Sequence, residues 1–168
     1  MRKPLRSRKT WLAAIVLVVT AGAGLYWFQP HKALIDVHVS EELPVVSEDG
    51  DGAAGARSLR DGEFISQEHD TTGTAALIRT ADGDIVLSIS GLETSNGPDL
   101  RVWLTDRTVH ADEWFVFDDG YHAELGALKG NIGDQVYPVP DDVDIDKVTS
   151  VSIWCARFAV SFGAAELS

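Results

Sequence analysis

The chain has 168 residues and a formal net charge of −12, with one Cys and one Met. This length accommodates one domain of ordinary size and an accessory segment rather than two full domains. A single Cys excludes a disulfide within the chain and a zinc site built from several Cys. The Met is the first residue, so no internal Met can ligate a metal or a haem.

The charge is divided unevenly along the chain. Five of the 14 basic residues precede Trp11, whereas the first acidic residue is Asp36. The chain from Gln29 onward therefore carries nine basic and 26 acidic side chains, a net charge of −17. A surface this acidic repels the phosphates of nucleic acids, so we expect no nucleic-acid partner.

An uncharged run of 18 residues, 11–28, follows the basic segment. Its length lies near the short end of the range that spans a bilayer. The sequence predicts a basic cytoplasmic tail at residues 1–10 and a single transmembrane helix at 11–28. Basic flanks stay in the cytoplasm, so the C-terminal part of the chain is expected outside it.

A cleaved signal peptide is the alternative to this anchor. Ala21-Gly22-Ala23 has the small-x-small form that signal peptidase accepts. The apolar run continues five residues past that position, which favours the uncleaved helix. Both interpretations place the remaining chain outside the cytoplasm, either held at the cell membrane or secreted.

The chain after the apolar run divides into two regions. Residues 29–60 include an acidic, Gly-rich stretch without aromatic residues, which predicts a flexible extracytoplasmic linker, although 33–39 has the composition of a short strand. Residues 61–168 show period-two patterns separated by turn residues. They predict an all-β domain, an antiparallel sandwich or barrel. The candidate strands are 62–69, 74–80, 84–90, 100–105, 135–139, 150–156 and 158–162.

The pattern near the C-terminus predicts an irregularity. Val151, Ile153 and Cys155 share one face of a strand, whereas Phe158 and the apolar residues after it are out of phase with them. A bulge or bend at Ala156-Arg157 would restore the register. Cys155 would then lie directly beside that irregularity.

Four separated stretches resemble the DM13 domain family. They are GEFISQEHDTTGTA (62–75), LETSNGPDLRVWL (92–104), LGALKGNIGDQVYPVP (125–140) and SVSIWCARFAVSFGAAEL (150–167), in the family's order. The combination of NGPDL, LKG-x-x-G-x-Q-x-Y-x-x-P and IWC-x-x-F is specific. The resemblance implies an immunoglobulin-like β-sandwich related to the DOMON type, found on secreted and membrane proteins. It also implies an electron-transfer role centred on the cysteine of the IWC motif, which is Cys155.

Cys155 is the strongest candidate for a residue with a chemical role, as a redox-active thiol. The alternative is burial without chemistry, because Cys is among the most buried residue types and its strand neighbours are apolar. Trp103 and Trp154 lie opposite the apolar faces of their strands. They predict either packing under a loop or an aromatic surface for a ligand or partner.

His69, His110 and His122, with Trp154, are the candidates for binding a cofactor. Blue copper is disfavoured, because no His follows Cys155 and no internal Met exists. A haem held by two His, or by Cys155 and one His, is compatible with the sequence. Three loop histidines without a metal are the simpler interpretation, and no metal site is predicted.

Motifs of the common hydrolases and nucleotide-binding proteins are missing: the sequence has no HExxH, GxSxG, CxxC or Gly-rich phosphate loop. Whether the protein is an enzyme stays open, and an electron carrier fits better. The sequence thus predicts a membrane-anchored redox module with a redox or protein partner outside the cytoplasm. A non-catalytic binding or scaffolding module with a buried structural Cys155 is the alternative.

The membrane topology can be tested with protease added to intact cells or spheroplasts. We expect the domain to be degraded, because the basic flank holds the N-terminus inside. Protection of the domain until the cells are lysed would contradict this orientation. A mature chain that starts at Gly24 would instead indicate signal-peptide cleavage.

Overall fold

The computed structural model describes residues 7–46 and 55–168. In these ranges one long helix, α1 (Arg8–Phe28), precedes nine strands, with short 3₁₀ turns at Lys32–Leu34 and Ile145–Lys147. The strands are β1 (His38–Ser40), β2 (Arg57–Ser66), β3 (Thr72–Arg79), β4 (Ile85–Glu93), β5 (Leu100–Thr105), β6 (His122–Ala127), β7 (Ile132–Pro138), β8 (Ser150–Cys155) and β9 (Val160–Glu166).

Helix α1 is long and apolar enough to cross a membrane, a test that a signal sequence also passes. Ser7 caps its N-terminus, since the Ser7 hydroxyl accepts a hydrogen bond from the amide of Thr10 at 3.3 Å. The helix ends at Gln29, which takes the left-handed conformation with φ 43°. The span predicted at 11–28 therefore lies within α1, whereas its orientation across a membrane stays a prediction.

The nine strands form one curled sheet in the order β1-β7-β4-β3-β2-β9-β8-β5-β6. Strand β2 takes part in both halves, because residues 57–63 pair with β3 and residues 64–66 pair with β9. The sheet therefore bends over itself into a half-barrel, and side chains that alternate along the strands meet inside it. The predicted all-β, sandwich-like fold is confirmed, and β8 lies in the interior of the sheet, between β9 and β5.

Two apolar clusters fill opposite sides of the folded sheet. The main core lies inside the curl and includes Leu87, Val102 and Ile153, all fully buried. A smaller cluster lies on the outer side of β5, β8 and β9, and it is formed by Trp103, Phe117, Trp154 and Ala164. The strands of this half are thus covered on both faces.

The strand predicted at 158–162 is partly wrong. Residues 156–159 form a turn, and β9 begins at Val160. The Cys155 carbonyl accepts hydrogen bonds from the amides of Phe158 and Ala159, at 3.2 and 2.9 Å, and Ala159 has φ 52°. The bulge lies further along, on β9, where the residue between Ser161 and Gly163 has no partner on β8. A turn and a bulge together change the phase that the sequence pattern shows.

Strand β1 lies within residues 29–60, for which the sequence predicts a flexible linker, and it pairs with β7 in parallel. The Asn131 side-chain oxygen accepts the amide of Val37 at 2.7 Å. The Glu41 carboxylate binds the Lys129 ammonium at 2.8 and 2.7 Å and accepts the amide of Val136 at 2.7 Å. The boundaries of the linker and the domain stay predictions, but these contacts tie residues 37–41 to the sheet.

Two glycines of the LKG-x-x-G motif leave room for this strand. A Cβ atom on Gly133 would lie 1.9 Å from the Val39 carbonyl oxygen, and one on Gly130 would lie 2.5 Å from that of Val37. Gly133 also has φ +109°, which L side chains rarely adopt. The motif therefore allows the close approach of β1 to β7.

Replacing Gly133 by Ala should detach β1, because it introduces both backbone strain and a clash with Val39. Gly126→Ala is the matched control, since Gly126 has φ +127° and open space around it. We expect Gly133→Ala to lower the free energy of unfolding by ~1–3 kcal/mol more than Gly126→Ala. Denaturant unfolding of the full chain measures the difference, and hydrogen exchange at the Ile132 amide reports on β1. Equal losses in the two variants would contradict the packing role.

Candidate functional site

Cys155 is the last residue of β8 and is completely buried. It is a free thiol in the main core, and its cross-strand partners are Leu100 on β5 and Val160 on β9. Reactive cysteines are partly exposed and lie in electropositive surroundings, and this environment is the opposite. Direct attack of an external reagent on the thiol is therefore blocked in the native state.

Trp154, the neighbour of Cys155 in the chain, faces the other side of the sheet. Its indole stacks on that of Trp103, with ring centres 5.0 Å apart, and Trp103 stacks in turn on His122 at 4.3 Å. Trp154 is 2% exposed and Trp103 is 8% exposed, whereas His122 is exposed. We call Trp154, Trp103 and His122 the aromatic column, which runs from the buried sheet to the surface.

The loop 106–121 covers the inner end of the aromatic column. Its Phe117 is fully buried and meets Trp154 edge-on, with ring centres 6.4 Å apart. The loop is held by the Trp114 carbonyl, which accepts the amide of Ser161 at 2.6 Å, and by the Val109 amide, which donates to Glu166 at 2.7 Å. Of the two predicted arrangements of Trp103 and Trp154, the structure thus shows packing under a loop.

The three candidate histidines lie in different places. His69 is half-buried against Phe162, with ring centres 3.8 Å apart. Burial lowers the pKa of His69, although the negative charges of Glu68 and Asp70 act in the opposite direction. His110 is exposed in the loop 106–121. His122 lies in the aromatic column, on the opposite side of the sheet from Cys155.

This placement bears on the predicted cofactors. A haem that joined Cys155 to His122 would have to bind two faces of one sheet at once, so the geometry does not favour that pair. Within residues 7–46 and 55–168, no group of three or more His, Cys, Asp or Glu side chains is arranged to hold a metal ion.

The end of α1 docks on the turn that follows Cys155. The Arg157 guanidinium donates to the carbonyl oxygens of Tyr26 and Trp27, at 3.3 and 2.6 Å, and lies 5.5 Å from the centre of the Trp27 ring. A cation is favourable at a helix C-terminus, where the carbonyl groups are unpaired. Phe28 stacks on Phe158 with ring centres 5.8 Å apart. The turn thus connects the sheet to the helix.

A cavity of about 290 Å³ lies between the end of α1 and the sheet, and we call it the helix-end cavity. Its walls come from the end of α1 and the two residues after it, from the segment that follows β2, from the NGPDL segment, and from the turn after Cys155 together with the start of β9. They are Phe28, Gln29, Pro30, Glu68, His69, Asn96, Gly97, Pro98, Phe158, Val160 and Phe162. The sequence predicted His69 as a site residue. It does not predict the cavity, which needs residues from four separate segments, 28–30, 68–69, 96–98 and 158–162.

The Q-x-Y part of the third motif has a structural role. The Gln135 side chain is fully buried. Its oxygen accepts hydrogen bonds from the amides of Lys129 and Gly130, at 3.1 and 3.3 Å. Its nitrogen donates a hydrogen bond to the Gly130 carbonyl at 2.8 Å. The Tyr137 hydroxyl donates to Gln135 at 2.8 Å, and burial raises the pKa of Tyr137 to about 12. These contacts hold the β6–β7 connection in place.

A sequence model of a protein family described as Electron transfer DM13 matches residues 63–167, more than half of the chain. The chain belongs to the DM13 family. No curated protein and no solved structure matches it. The matched DM13 region contains Cys155, both tryptophans of the aromatic column and the glycines that accommodate β1. The resemblance carried by the NGPDL, LKG and IWC motifs is thereby confirmed.

The burial of Cys155 in the DM13 core can be tested by thiol titration and substitution. We expect the native thiol to resist alkylation and the denatured thiol to react. Cys155→Ser should lower the free energy of unfolding by ~1–3 kcal/mol, because it leaves a hydroxyl without a partner in an apolar site. Cys155→Ala should be less destabilising, since it leaves only a small cavity. Rapid alkylation of the native chain, or Ala below Ser in stability, would contradict this.

Proposed function

We propose that this protein is a membrane-anchored electron-transfer module whose DM13 domain lies outside the cytoplasm. The family assignment supports the redox role. The observation that carries the mechanism is the stack of two buried indoles, Trp154 and Trp103, which ends at the exposed His122. Electron transfer through protein is faster between closely spaced aromatic rings than across aliphatic packing. The aromatic column is therefore the best route between the interior and a partner.

Cys155 is the proposed redox centre at the inner end of this route. In the proposed step, one electron leaves the thiol and passes through Trp154 and Trp103 to an oxidised haem or copper centre on a partner protein, which is reduced by one electron. The thiol releases its proton to solvent water as the electron leaves and becomes a neutral thiyl radical, which requires a transient opening of the core around the buried Cys155. The charge balance matters here, because an uncompensated charge in this apolar core would be strongly destabilised.

Anchoring by α1 is the second part of the proposal. The helix has the length and hydropathy of a membrane span, and its last turn is bound by Arg157 and Phe158. An anchored domain meets partners in the same membrane at a raised effective concentration. The acidic charge of the chain after the helix favours a partner with a basic surface.

A binding module with an inert Cys155 is the second candidate. Its support is the complete burial of the thiol among apolar neighbours such as Leu100 and Ile153. A thiol in this setting behaves as a small apolar side chain. The same experiment separates the two candidates.

The redox proposal is tested by photo-oxidising the full chain in lipid nanodiscs with a one-electron ruthenium oxidant. Trp103→Phe and Trp154→Phe keep an aromatic ring but remove the readily oxidised indole, so we expect electron transfer to slow at least about tenfold, or ~1.4 kcal/mol in barrier height. Cys155→Ala should leave a long-lived tryptophan radical, because its electron donor is missing. Transient absorption and electron paramagnetic resonance measure both effects.

Trp114→Phe is the matched control, since Trp114 lies outside the aromatic column, against Phe115 in the loop 106–121. Its rate should equal that of the unmodified chain. If Trp114→Phe slows transfer as much as the column variants do, or if Cys155→Ala leaves the radical lifetime unchanged, the binding module is favoured instead.

A further inference from the structure

The outer half of the aromatic column carries a hydrogen bond to a carboxylate. Trp103 is 8% exposed, and its indole nitrogen Nε1 donates to the Glu124 oxygen Oε2 at 3.4 Å. The two residues are directly opposite each other on β5 and β6, where the side chains of paired strands come close. The register of these strands thus places a proton acceptor at the acidic hydrogen of the indole.

The Glu124 carboxylate is oriented by Arg101. The Arg101 guanidinium donates from Nη1 to Glu124 Oε1 at 2.6 Å, which leaves Oε2 for Trp103. The same guanidinium donates from Nε to Asp99 at 2.7 Å, so two carboxylates fix its planar fork. The hydrogen bonds to Asp99 and Glu124 both raise the pKa of Arg101, which stays charged. Because Asp99 belongs to the NGPDL motif, that motif is connected through Arg101 to the aromatic column.

His122 is not placed to accept the same hydrogen. It stacks on the face of Trp103, with ring centres 4.3 Å apart and ring planes inclined by 10°. The N–H bond of an indole lies in the plane of the ring, so it points away from a stacked neighbour and toward Glu124. The two neighbours of Trp103 therefore differ in what they can receive, since the stacked ring suits an electron and the carboxylate suits a proton.

Oxidation of Trp103 would create a charge that its surroundings disfavour. An indole that loses one electron becomes a radical cation, whose N–H is far more acidic than that of the neutral ring. A positive charge on a side chain so little exposed is poorly solvated. Transfer of the Nε1 proton to the ionised Glu124 neutralises both groups at once. Arg101 is not left unpaired, because it keeps its hydrogen bond to Asp99.

We propose that Glu124 is the proton acceptor of Trp103, so that the aromatic column moves an electron and a proton together at its outer end. One electron passes from Trp103 to the oxidised haem or copper centre of the partner, the Nε1–H bond breaks, and an O–H bond forms on Glu124. Trp103 is left as a neutral radical and Glu124 as a neutral carboxylic acid. When Cys155 reduces Trp103 again through Trp154, the proton returns to Nε1. The inference rests on the proposed function for its partner, whereas the proton step needs only the oxidation of Trp103.

The test is photo-oxidation of the full chain in lipid nanodiscs with the one-electron ruthenium oxidant. Every sample carries Cys155→Ala, which keeps the thiol from reducing the radical, and transient absorption distinguishes the neutral tryptophan radical from the cation. We expect the neutral radical when Glu124 is present. Glu124→Gln keeps an oxygen that accepts the indole N–H but cannot take the proton, so the cation should persist at least about tenfold longer.

Three further variants locate the effect. Glu113→Gln is the matched control, since Glu113 is exposed in the loop 106–121 and the change removes the same charge, and it should leave the radical unchanged. Trp103→Phe should abolish the effect of Glu124→Gln, because the proton donor is missing. Arg101→Lys should lengthen the lifetime of the cation by a smaller factor than Glu124→Gln, because an ammonium lacks the planar fork that orients the carboxylate.

Three results would overturn the proposal. They are a neutral radical that forms equally fast in Glu124→Gln, an equal change from Glu113→Gln, and a persistent cation in the chain that retains Glu124. The last result would mean that the carboxylate acts by its charge alone. Failure of the proposed function has a different signature. If Cys155→Ala by itself leaves the radical lifetime unchanged while Glu124→Gln prolongs the cation, the thiol route is wrong and the proton step stands.

Discussion

Burial of β8 on both faces is the constraint on which the rest of the structure depends. All six of its residues are buried, although the strand belongs to a largely antiparallel sheet that would ordinarily leave one face to solvent. Val151 and Ile153 fill the main core, and Trp154 needs a cover of its own on the outer side. The loop 106–121 supplies that cover. The same alternation places Cys155 and Trp154 next to each other in the chain but on opposite faces, so that a dry thiol adjoins the buried end of the aromatic column.

Much of the fold could be predicted from the residues, and the misses have physical reasons. The alternating pattern predicts β3, β4, β5 and β8 to within about three residues of their ends. No pattern in the sequence predicts β6, because HAELGA has no β-branched residue and this strand is held by its pairing with β5. The sequence indicates a short strand at 33–39, whereas Lys32–Leu34 form a 3₁₀ turn and β1 covers only His38–Ser40. A three-residue strand depends on its partner β7 more than on its own propensity.

The candidate site, like the fold, could be predicted only in part from the sequence. The IWC motif locates Cys155, and the apolar neighbours of this residue in the sequence are compatible with the burial that the structure shows. The stacking of Trp103 on His122 could not be foreseen, because it depends on the register between β5 and β6, including a shift beside Trp103. The helix-end cavity needed the contact of Arg157 with α1, which joins residues 130 positions apart. No local pattern encodes a contact of that separation.

The parallel pairing of β1 has a consequence for the solubility of the domain. Without β1, strand β7 would expose a row of unpaired amide and carbonyl groups, which is a template for the strand of another molecule. β1 occupies that row but is only three residues long. Glu41 and Glu42 follow it at once, and Pro44 comes two residues later. Charge and proline both discourage a further strand, so the segment that ties α1 to the domain also protects this side of the sheet from aggregation.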